Sequence, residues 1–289
     1  MERDSFIYKA RRKIQVVAHK LFSNEFMSKL YFKIVLKEKL DLKNPRTFNE
    51  KLQWLKLYYY PQNDLAVKCA DKYRVREYIK DKEYENTLVP LLGAWDNVED
   101  IDWDSLPNKF VLKCNHGCAY NIVCNDKTEF DRIKAKKQLN TWLKEDFGAF
   151  NIEPHYSNIK KHKITCEEFL GDNLVDYKFF CFNGKVEYIV FDGDRYKKHK
   201  RNFYDKNWNY LDIKSDCENF GDIIKKPIAL EQMKSIAEKL SQDFSFVRVD
   251  LYWINNKIYF GELTFYPWSG YVQFYPDEFD YTLGKKFNI

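Results

Sequence analysis

Three charged residues interrupt a stretch that otherwise has the makings of a buried hairpin. In FVRVDLYWINNKIYFGELTFYPWSG (246–270), aromatic and β-branched residues flank an Asn255-Asn256 pair, the pattern of two strands joined by a turn. Strand alternation puts Arg248, Asp250 and Tyr252 on one face and Val247, Val249 and Leu251 on the other; on the return strand Phe260, Glu262 and Thr264 share a face. The register decides the chemistry. A two-residue turn pairs 254 with 257 and sends Asp250 and Glu262 to opposite faces. A three-residue Asn-Asn-Lys loop with a bulge pairs 254 with 258 and sets the two carboxylates opposite each other. Carboxylates that close repel unless a cation intervenes, and Mg²⁺ is commonly held by one or two carboxylates together with substrate phosphates. Arg248 beside them can hold an anion. A surface sheet face carrying an Arg–Glu pair accounts for the same residues equally well.

Other stretches offer weaker signals. In KCNHGCAYN (113–121), Lys113 leaves a buried strand into a small-residue loop around Gly117, where backbone N–H groups and an ammonium can act together on phosphate. Cys114, His116, Cys118 and Cys124 nearby raise zinc, but their spacing fits no common finger and alternation separates the thiolates. In DYKFFCFNGK, Asp176, Lys178 and Phe180 share a strand face, and a Lys inside an aromatic strand wants an anionic partner unless it guards an edge. ITCEEFLGD ends a strand in two Glu and an apolar pair. His199 lies in a cationic loop, RYKKHKRNFYD, suited to an anionic substrate. No G-x-S-x-G and no conspicuous Cys–His pair supplies a nucleophile.

These residues need a scaffold, and its outline is readable. Residues 5–60 have helical character interrupted at Asn44-Pro45, with TFNEKLQWLKLYYY an amphipathic helix capped by Thr47 or Asn49. ADKYRVREYIKDK (70–82) reads as a second helix, and TLVPLLGAW as a strand broken by Pro and Gly. NKFVLKCNHG and NIVCND form a strand–loop–strand. FDRIKAKKQLNTWLKEDF is a helix whose apolar face holds Ile133, Leu139, Trp142 and Leu143. Strands follow, joined at Asn183-Gly184, then the helix ALEQMKSIAEKLSQ and the hairpin. Helices, a small αβ unit and an antiparallel sheet with packed helices make an α+β architecture.

Composition narrows the class. The 289 residues, 45% hydrophobic and 31% charged, describe a globular protein able to bury a sizeable core, and 18% aromatics suit strands and pockets for planar or sugar-like ligands. No apolar run reaches the roughly 18 residues of a membrane span, and the charged N-terminus is no secretory signal. Seven scattered Cys read as reduced thiols, hence a cytoplasmic setting. Residues 1–43 hold eleven Lys/Arg against five Asp/Glu, while the rest is close to neutral. That excess is too local for nucleic acid. The basic arm, with Phe6, Ile7, Ile14, Val17, Leu21 and Phe22 at near-helical spacing, either packs on the body or lies on an anionic membrane surface, the inner face of the membrane.

Taken in order, NPRTFNEKLQWLKLY, DKYRVREYIK, LPNKFVLKCNHG, DYKFFCFNGK, HKRNFYD and FVRVDLY followed by NKIYFGELTFYPWSG resemble the ATP-grasp superfamily. The closest likeness is to its TupA-like branch, associated with teichuronopeptide and capsular polysaccharide gene clusters, and it covers roughly residues 30–275. The resemblance implies an ATP-grasp fold with the nucleotide between two α+β subdomains. Residues 1–62 would be a basic helical N-terminal region, 63–107 the N-terminal part of the grasp fold, 108–170 a small nucleotide-clamping subdomain, and 171–289 a C-terminal antiparallel-sheet subdomain with the metal and substrate site.

It also implies roles. Lys72 and Lys113 match the two nucleotide lysines, and the loop at Gly117 would cover the phosphates. Glu167 would take the adenine amine, the Phe169 and Leu170 backbone would bind the ring, and Asp172 would contact ribose. Asp250, Glu262 and Thr264 match the Mg²⁺-binding carboxylate pattern, with Arg248 and Lys178 on the transferring phosphoryl group. Thr264 stands where the superfamily usually has Asn, the loop after Lys113 is poorer in Gly than usual, and Pro267-Trp268 replaces a common Pro-Gly. The implied reaction is ATP-dependent carboxylate–amine ligation through an acyl phosphate, on an acidic sugar or peptide of a cell-surface polysaccharide plus an amine. Charge alone suggests that Lys198, His199 and Arg201 receive the acid. A kinase or glycosyltransferase of the same polymer, or a non-catalytic glycan-binding grasp fold, are the competing readings.

Overall fold

The computed structural model describes residues 15, 17, 18, 21–172, 174–193 and 199–289. Helix α1 (Asn24–Val35) starts at Ser23, whose hydroxyl accepts from the Phe26 N–H. Helix α2 (Phe48–Trp54) carries a complete capping box: Thr47 accepts from the Glu50 N–H while Glu50 accepts from the Thr47 N–H. Asn49, the other expected cap, is buried and donates instead to Val272 O and Asp280 Oδ2.

The stretch expected as one helix over 70–82 is divided. Helix α3 (Asp64–Ala70) ends at Asp71, whose Oδ1 takes the N–H groups of Tyr73 and Arg74; helix α4 (Val75–Asp81) begins only afterwards. Asp side chains compete for backbone donors in this way, and the resulting turn carries Lys72 out of any helix.

Strands β1 (Leu91–Trp95), β2 (Phe110–Cys114), β3 (Asn121–Cys124) and β4 (Ile164–Glu168) form an antiparallel sheet in the order β1-β4-β2-β3. Helix α5 (Arg132–Leu143) buries Ala135, Leu139 and Trp142, whereas Ile133, expected on the apolar face, is 83% exposed. The face is set by the packed trio, and Ile133 falls a third of a turn or more away from each of them.

Strands β5 (Asp176–Phe182), β6 (Lys185–Gly193), β7 (Lys200–Asp205), β8 (Tyr210–Leu211), β9 (Phe246–Ile254) and β10 (Lys257–Thr264) make the second antiparallel sheet, ordered β10-β9-β5-β6-β7-β8. One face packs helix α6 (Leu230–Ser241). Phe48 of α2 joins Phe180, Phe182, Phe246 and Phe287 in an aromatic cluster, so the helical N-terminal stretch is anchored on the C-terminal sheet. The β5–β6 connection is the Asn183-Gly184 turn, both residues at positive φ.

The hairpin resolves its register in a way the sequence did not suggest. The turn is the tight two-residue form: Ile254 pairs with Lys257, and Asn255 and Asn256 have φ of 50° and 60°. Alone, that turn would send Asp250 and Glu262 to opposite faces. A bulge at Gly261 intervenes, so Phe260 pairs with Leu251 but Glu262 pairs with Asp250. The irregularity expected in the turn lies within the strand. A Cβ on Gly261 would stand 3.0 Å from Asp250 O and 3.1 Å from Tyr252 Cε2, which explains a glycine there.

The loop after β2 is pinned by a stacked pair of imidazoles: His116 and His162 lie 3.5 Å apart at 5°. His116 is buried, with Nε2 2.9 Å from Trp142 O.

Two tests follow from these devices. Gly261→Val is expected to cost about 1–3 kcal/mol by forcing the bulge open; an unchanged denaturant midpoint would show that the strand accommodates a side chain. For His116, burial, then the neighbouring His162, pulls the imidazole down to about 4. Its folded-state value is depressed, so neutral burial favours the fold fully above the ordinary value near 6.5, and that contribution is lost as pH falls through 4. A His116→Gln variant should lose stability less steeply than wild type between those pH values in denaturation measured across pH; parallel slopes would argue against this role.

Candidate active site

The bulge brings a cation–carboxylate network onto one sheet face. Lys178 on β5 lies opposite Asp250 on β9, and its buried Nζ is 2.8 Å from Asp250 Oδ2, 3.4 Å from Asp176 Oδ1 and 3.6 Å from Asp192 Oδ2. Asp176 and Asp192 face each other across β5 and β6, a like-charge pair tolerable because Lys178 stands between them. Arg248 clasps Asp250 with two bonds of 2.6 Å, from Nε to Oδ1 and from one terminal nitrogen to Oδ2. That same nitrogen is 3.0 Å from Thr264 Oγ1 and 3.5 Å from Glu262 Oε1, and Thr264 donates to Glu262 at 3.0 Å. Burial pushes the Glu262 carboxyl up, but Lys72, Arg248 and Lys178 outweigh it and bring it down to about 2.

The donor set fits Mg²⁺ in part. Asp250 and Glu262 offer hard oxygen donors side by side, and the Arg248 guanidinium reaching both of them marks the place as one that demands positive charge. Among the described residues no group of three or more His, Cys, Asp or Glu is placed to hold a metal. A Mg²⁺ held by two carboxylates would take its remaining ligands from substrate oxygens or water, as this ion commonly does. Thr264 touches Glu262 and Arg248 and so supports the pair through its hydroxyl. Zinc finds no such set: His116 is engaged with Trp142 O, Cys118 with the Tyr156 hydroxyl, and Cys124 with Asn108 O.

Next to this network, between the two sheets, runs a cleft of about 250 Å³ lined by Lys72, Arg76, Lys113, Glu167, Tyr252 and Glu262 among others. Lys72 Nζ donates to Gly117 O at 2.7 Å, closing the turn after α3 onto the loop after β2. Gly117 allows that loop to close: a Cβ there would lie 2.8 Å from the Phe147 ring. Glu167 on β4 is gripped by Lys113 at 2.5 Å and by Arg76 at 3.3 Å. An adjoining cavity of about 390 Å³ shares Lys113, Glu167 and Tyr252 and continues over Phe169, Leu170 and Asp172. Of the residues expected to meet a nucleotide, Lys72, Lys113, Glu167, Phe169, Leu170 and Asp172 thus line these two adjoining cavities, whereas Gly117 lines neither. Of the two carboxylates Glu262 lines the first, and Asp250 lies buried behind it.

The expected substrate residues are arranged differently from an open cationic patch. Lys198 lies outside the described residues. His199 Nε2 meets Asp192 Oδ1, and Arg201 is buried, bonded to Asp192, Ser215 and Asp216. Its guanidinium lies 5.0 Å over the Trp268 ring, whose indole N–H donates to Asp216.

Several residues of this site escaped the sequence reading. Arg76, four residues beyond Lys72 in the first turn of α4, was detectable only as a repeated cation. Asp192 lies at the end of the apolar strand β6 and gains meaning only from its cross-strand neighbour. Lys56 is fully buried, with Nζ donating to Ser269 O at 2.9 Å; burial draws its ammonium down to about 7. Gln53 donates to the same carbonyl and to Gly270 O, and Ser269 Oγ bonds Glu153. These contacts hold Trp268 and Ser269 at positive φ, 52° and 56°, in the turn just beyond Thr264.

No curated protein sequence matches the chain. Among solved structures it is similar to a D-alanine–D-alanine ligase from Bacillus anthracis (17% identity, TM-score 0.41, covering 69% of this chain and 57% of that one). It is also similar to an N5-carboxyaminoimidazole synthetase from Staphylococcus aureus (15%, 0.45, 75% and 50%) and to a biotin carboxylase from Campylobacter jejuni (10%, 0.44, 78% and 48%). The chain spans about half the length of these structures. A family model described as TupA-like ATPgrasp matches residues 50–288, a span that takes in both sheets, the cleft between them and the Arg248–Asp250–Glu262 hairpin. On that match, the chain belongs to the TupA-like ATP-grasp family and has the ATP-grasp fold.

Proposed function

We propose that the protein is an ATP-dependent ligase that joins a carboxylate to an amine. One observation carries the reading: Lys178 and Arg248 converge on Asp250 beside Glu262, and Glu262 lines a cleft that Lys72 and Lys113 also line. Such a site stabilises a phosphoryl group in transfer by position and charge, and needs no side-chain nucleophile.

In this reading, residues 63–107 and 108–170 clamp the nucleotide and 171–289 supply the reacting side. Lys72, Lys113 and the backbone around Gly117 hold phosphates. Glu167, Phe169 and Leu170 take the adenine, and Asp172 the ribose. Asp250 and Glu262, supported by Thr264, hold Mg²⁺, which when bound neutralises phosphate charge. Lys178 and Arg248 exchange part of their hold on Asp250 for the oxygens of the transferring group.

The γ-phosphoryl passes to a carboxylate oxygen of the substrate and ADP leaves. The amine nitrogen then attacks the acyl carbon, phosphate departs, and the nitrogen gives up a proton as the amide forms. Trp268, Arg201 and His199, with Lys198 in the same loop sequence, mark the side on which an acidic sugar or peptide of a cell-surface polysaccharide would enter.

Purified protein with Mg²⁺ and ATP should release ADP and phosphate only when a uronic acid or acidic peptide and an amine are supplied together. Phosphorylated product without an amine would indicate a kinase, and turnover of a sugar nucleotide a glycosyltransferase. A folded protein that fails to bind Mg-ATP in calorimetry would point to non-catalytic binding. Lys178→Met and Arg248→Met, if folded by circular dichroism, should each lower kcat by about 10²–10³. Undiminished turnover in both would overturn the assignment.

A further inference from the structure

Helix α1 has two apolar faces, and among the described residues the body of the protein packs against only one. Met27 and Phe32 are buried, and Tyr31 and Phe32 both set their rings edge-on to Tyr271. On the other side Phe26, Leu30 and Ile34 recur every four residues, a stripe drifting about 40° per step, and are 49%, 40% and 61% exposed. Phe22, just before the cap, folds back so that its ring stacks on Phe26 at 4.9 Å. Val17, Leu21 and Val35 are exposed as well, as is Tyr58, whose hydroxyl reaches Glu25 of α1. Large exposed apolar side chains among the described residues are otherwise scattered singly, so this concentration calls for a partner.

The charges around the stripe say which partner. Lys29, Lys33, Lys37 and Lys39 are exposed along and beyond the helix. Its one acid, Glu25, is already taken up by Lys29 at 2.6 Å and by the Tyr58 hydroxyl at 2.9 Å. Residues 1–43 carry eleven Lys/Arg against five Asp/Glu. Aromatic and aliphatic residues along one line, flanked by long cationic side chains, match an anionic bilayer surface: the stripe enters the headgroup boundary while lysines reach the phosphates. The span from Phe26 to Ile34 is only about 12 Å long, so it lies in the membrane plane. No helix among the described residues is long and apolar enough to cross a membrane.

We infer that the Phe22–Ile34 stripe of α1 is a docking surface for anionic lipid, holding the protein on a membrane face through Phe22, Phe26, Leu30 and Ile34 with Lys29 and Lys33 beside them. None of these residues lines the nucleotide cleft, so the inference stands or falls apart from the proposed ligase activity.

Flotation with vesicles tests it. The full chain should rise with vesicles of phosphatidylcholine mixed with phosphatidylglycerol, rise little with phosphatidylcholine alone, and detach as salt is raised. A Phe26→Ser/Leu30→Ser/Ile34→Ser variant should partition roughly tenfold or more weakly at unchanged melting temperature. Lys29→Gln/Lys33→Gln should lose the preference for the anionic vesicles while keeping the stripe. Any of three outcomes overturns the inference: no binding to either vesicle, equal binding by the triple variant, or a wild-type dimer in sedimentation that the triple variant abolishes. The last would assign the stripe to a second copy of the chain.

Discussion

The carboxylate of Asp250 is the constraint around which the site is built. It is buried, and a buried anion is costly unless it is paired and fully hydrogen-bonded. Two cations from two different directions meet that requirement: Arg248 from two positions earlier on the same strand, and Lys178 from the neighbouring strand. The second of these reaches Asp250 only through the antiparallel register of β5 on β9. The second carboxylate, Glu262, reaches the same face only because Gly261 is bulged out of β10. A sheet edge, a glycine and a shared anion are thus one device, and the strand that supplies Glu262 also bounds the cleft between the sheets.

The sequence pointed to the residues of this network more readily than to how they come together. Arg248, Asp250 and Glu262 stood out because charge interrupts an apolar run, and Lys178 because ammonium groups are rare inside aromatic strands. The α+β organisation followed from hydrophobic periodicity and turn chemistry, which are local. What failed was also local but subtler. Asn-Asn suits a tight turn, and a tight turn implied the wrong face for Glu262; the compensating bulge depended on Gly261, a glycine that alternation treats as any other strand position. Asp71 divided an expected helix because its side chain caps backbone donors, an option that propensity alone does not weigh. Ile133 was assigned to a buried face that Ala135, Leu139 and Trp142 fill without it. Partners that lie far apart in sequence, such as Arg76 with Glu167 or Lys56 with Ser269, leave no signature until the fold juxtaposes them.

The turn at 267–270 shows how strain is held beside the site. Trp268 and Ser269 occupy the left-handed region without being glycine, a conformation that persists only when surrounding contacts over-determine it. Here they do: Lys56 and Gln53 reach up from the helical segment behind, and Glu153 takes the Ser269 hydroxyl from the other side. Glu153 also opens the short helix whose Tyr156 touches Cys118 in the loop after Lys113. The loop that faces the cleft and the turn that presents Trp268 to Arg201 are therefore braced by one short helix, so displacement of either is opposed by contacts made by the other.

The charged groups form a chain rather than separate pairs. Glu262 meets Arg248, Arg248 holds Asp250, Asp250 holds Lys178, and Lys178 lies against Asp176 and Asp192. Asp192 in turn faces His199 and Arg201, and Arg201 bonds Asp216, which accepts from Trp268. Each interior link is shared, so removing one member leaves its neighbours partly unpaired in a buried setting, where that is most costly. Effects of substitutions along the chain therefore do not add as independent sites would, and the loss from Lys178 already contains part of the loss from Asp250. On the proposed ligase reading, an anionic substrate group entering beside Arg248 would compete for a cation that two carboxylates already share. Its binding would then be coupled electrostatically along the same chain to the turn that carries Trp268.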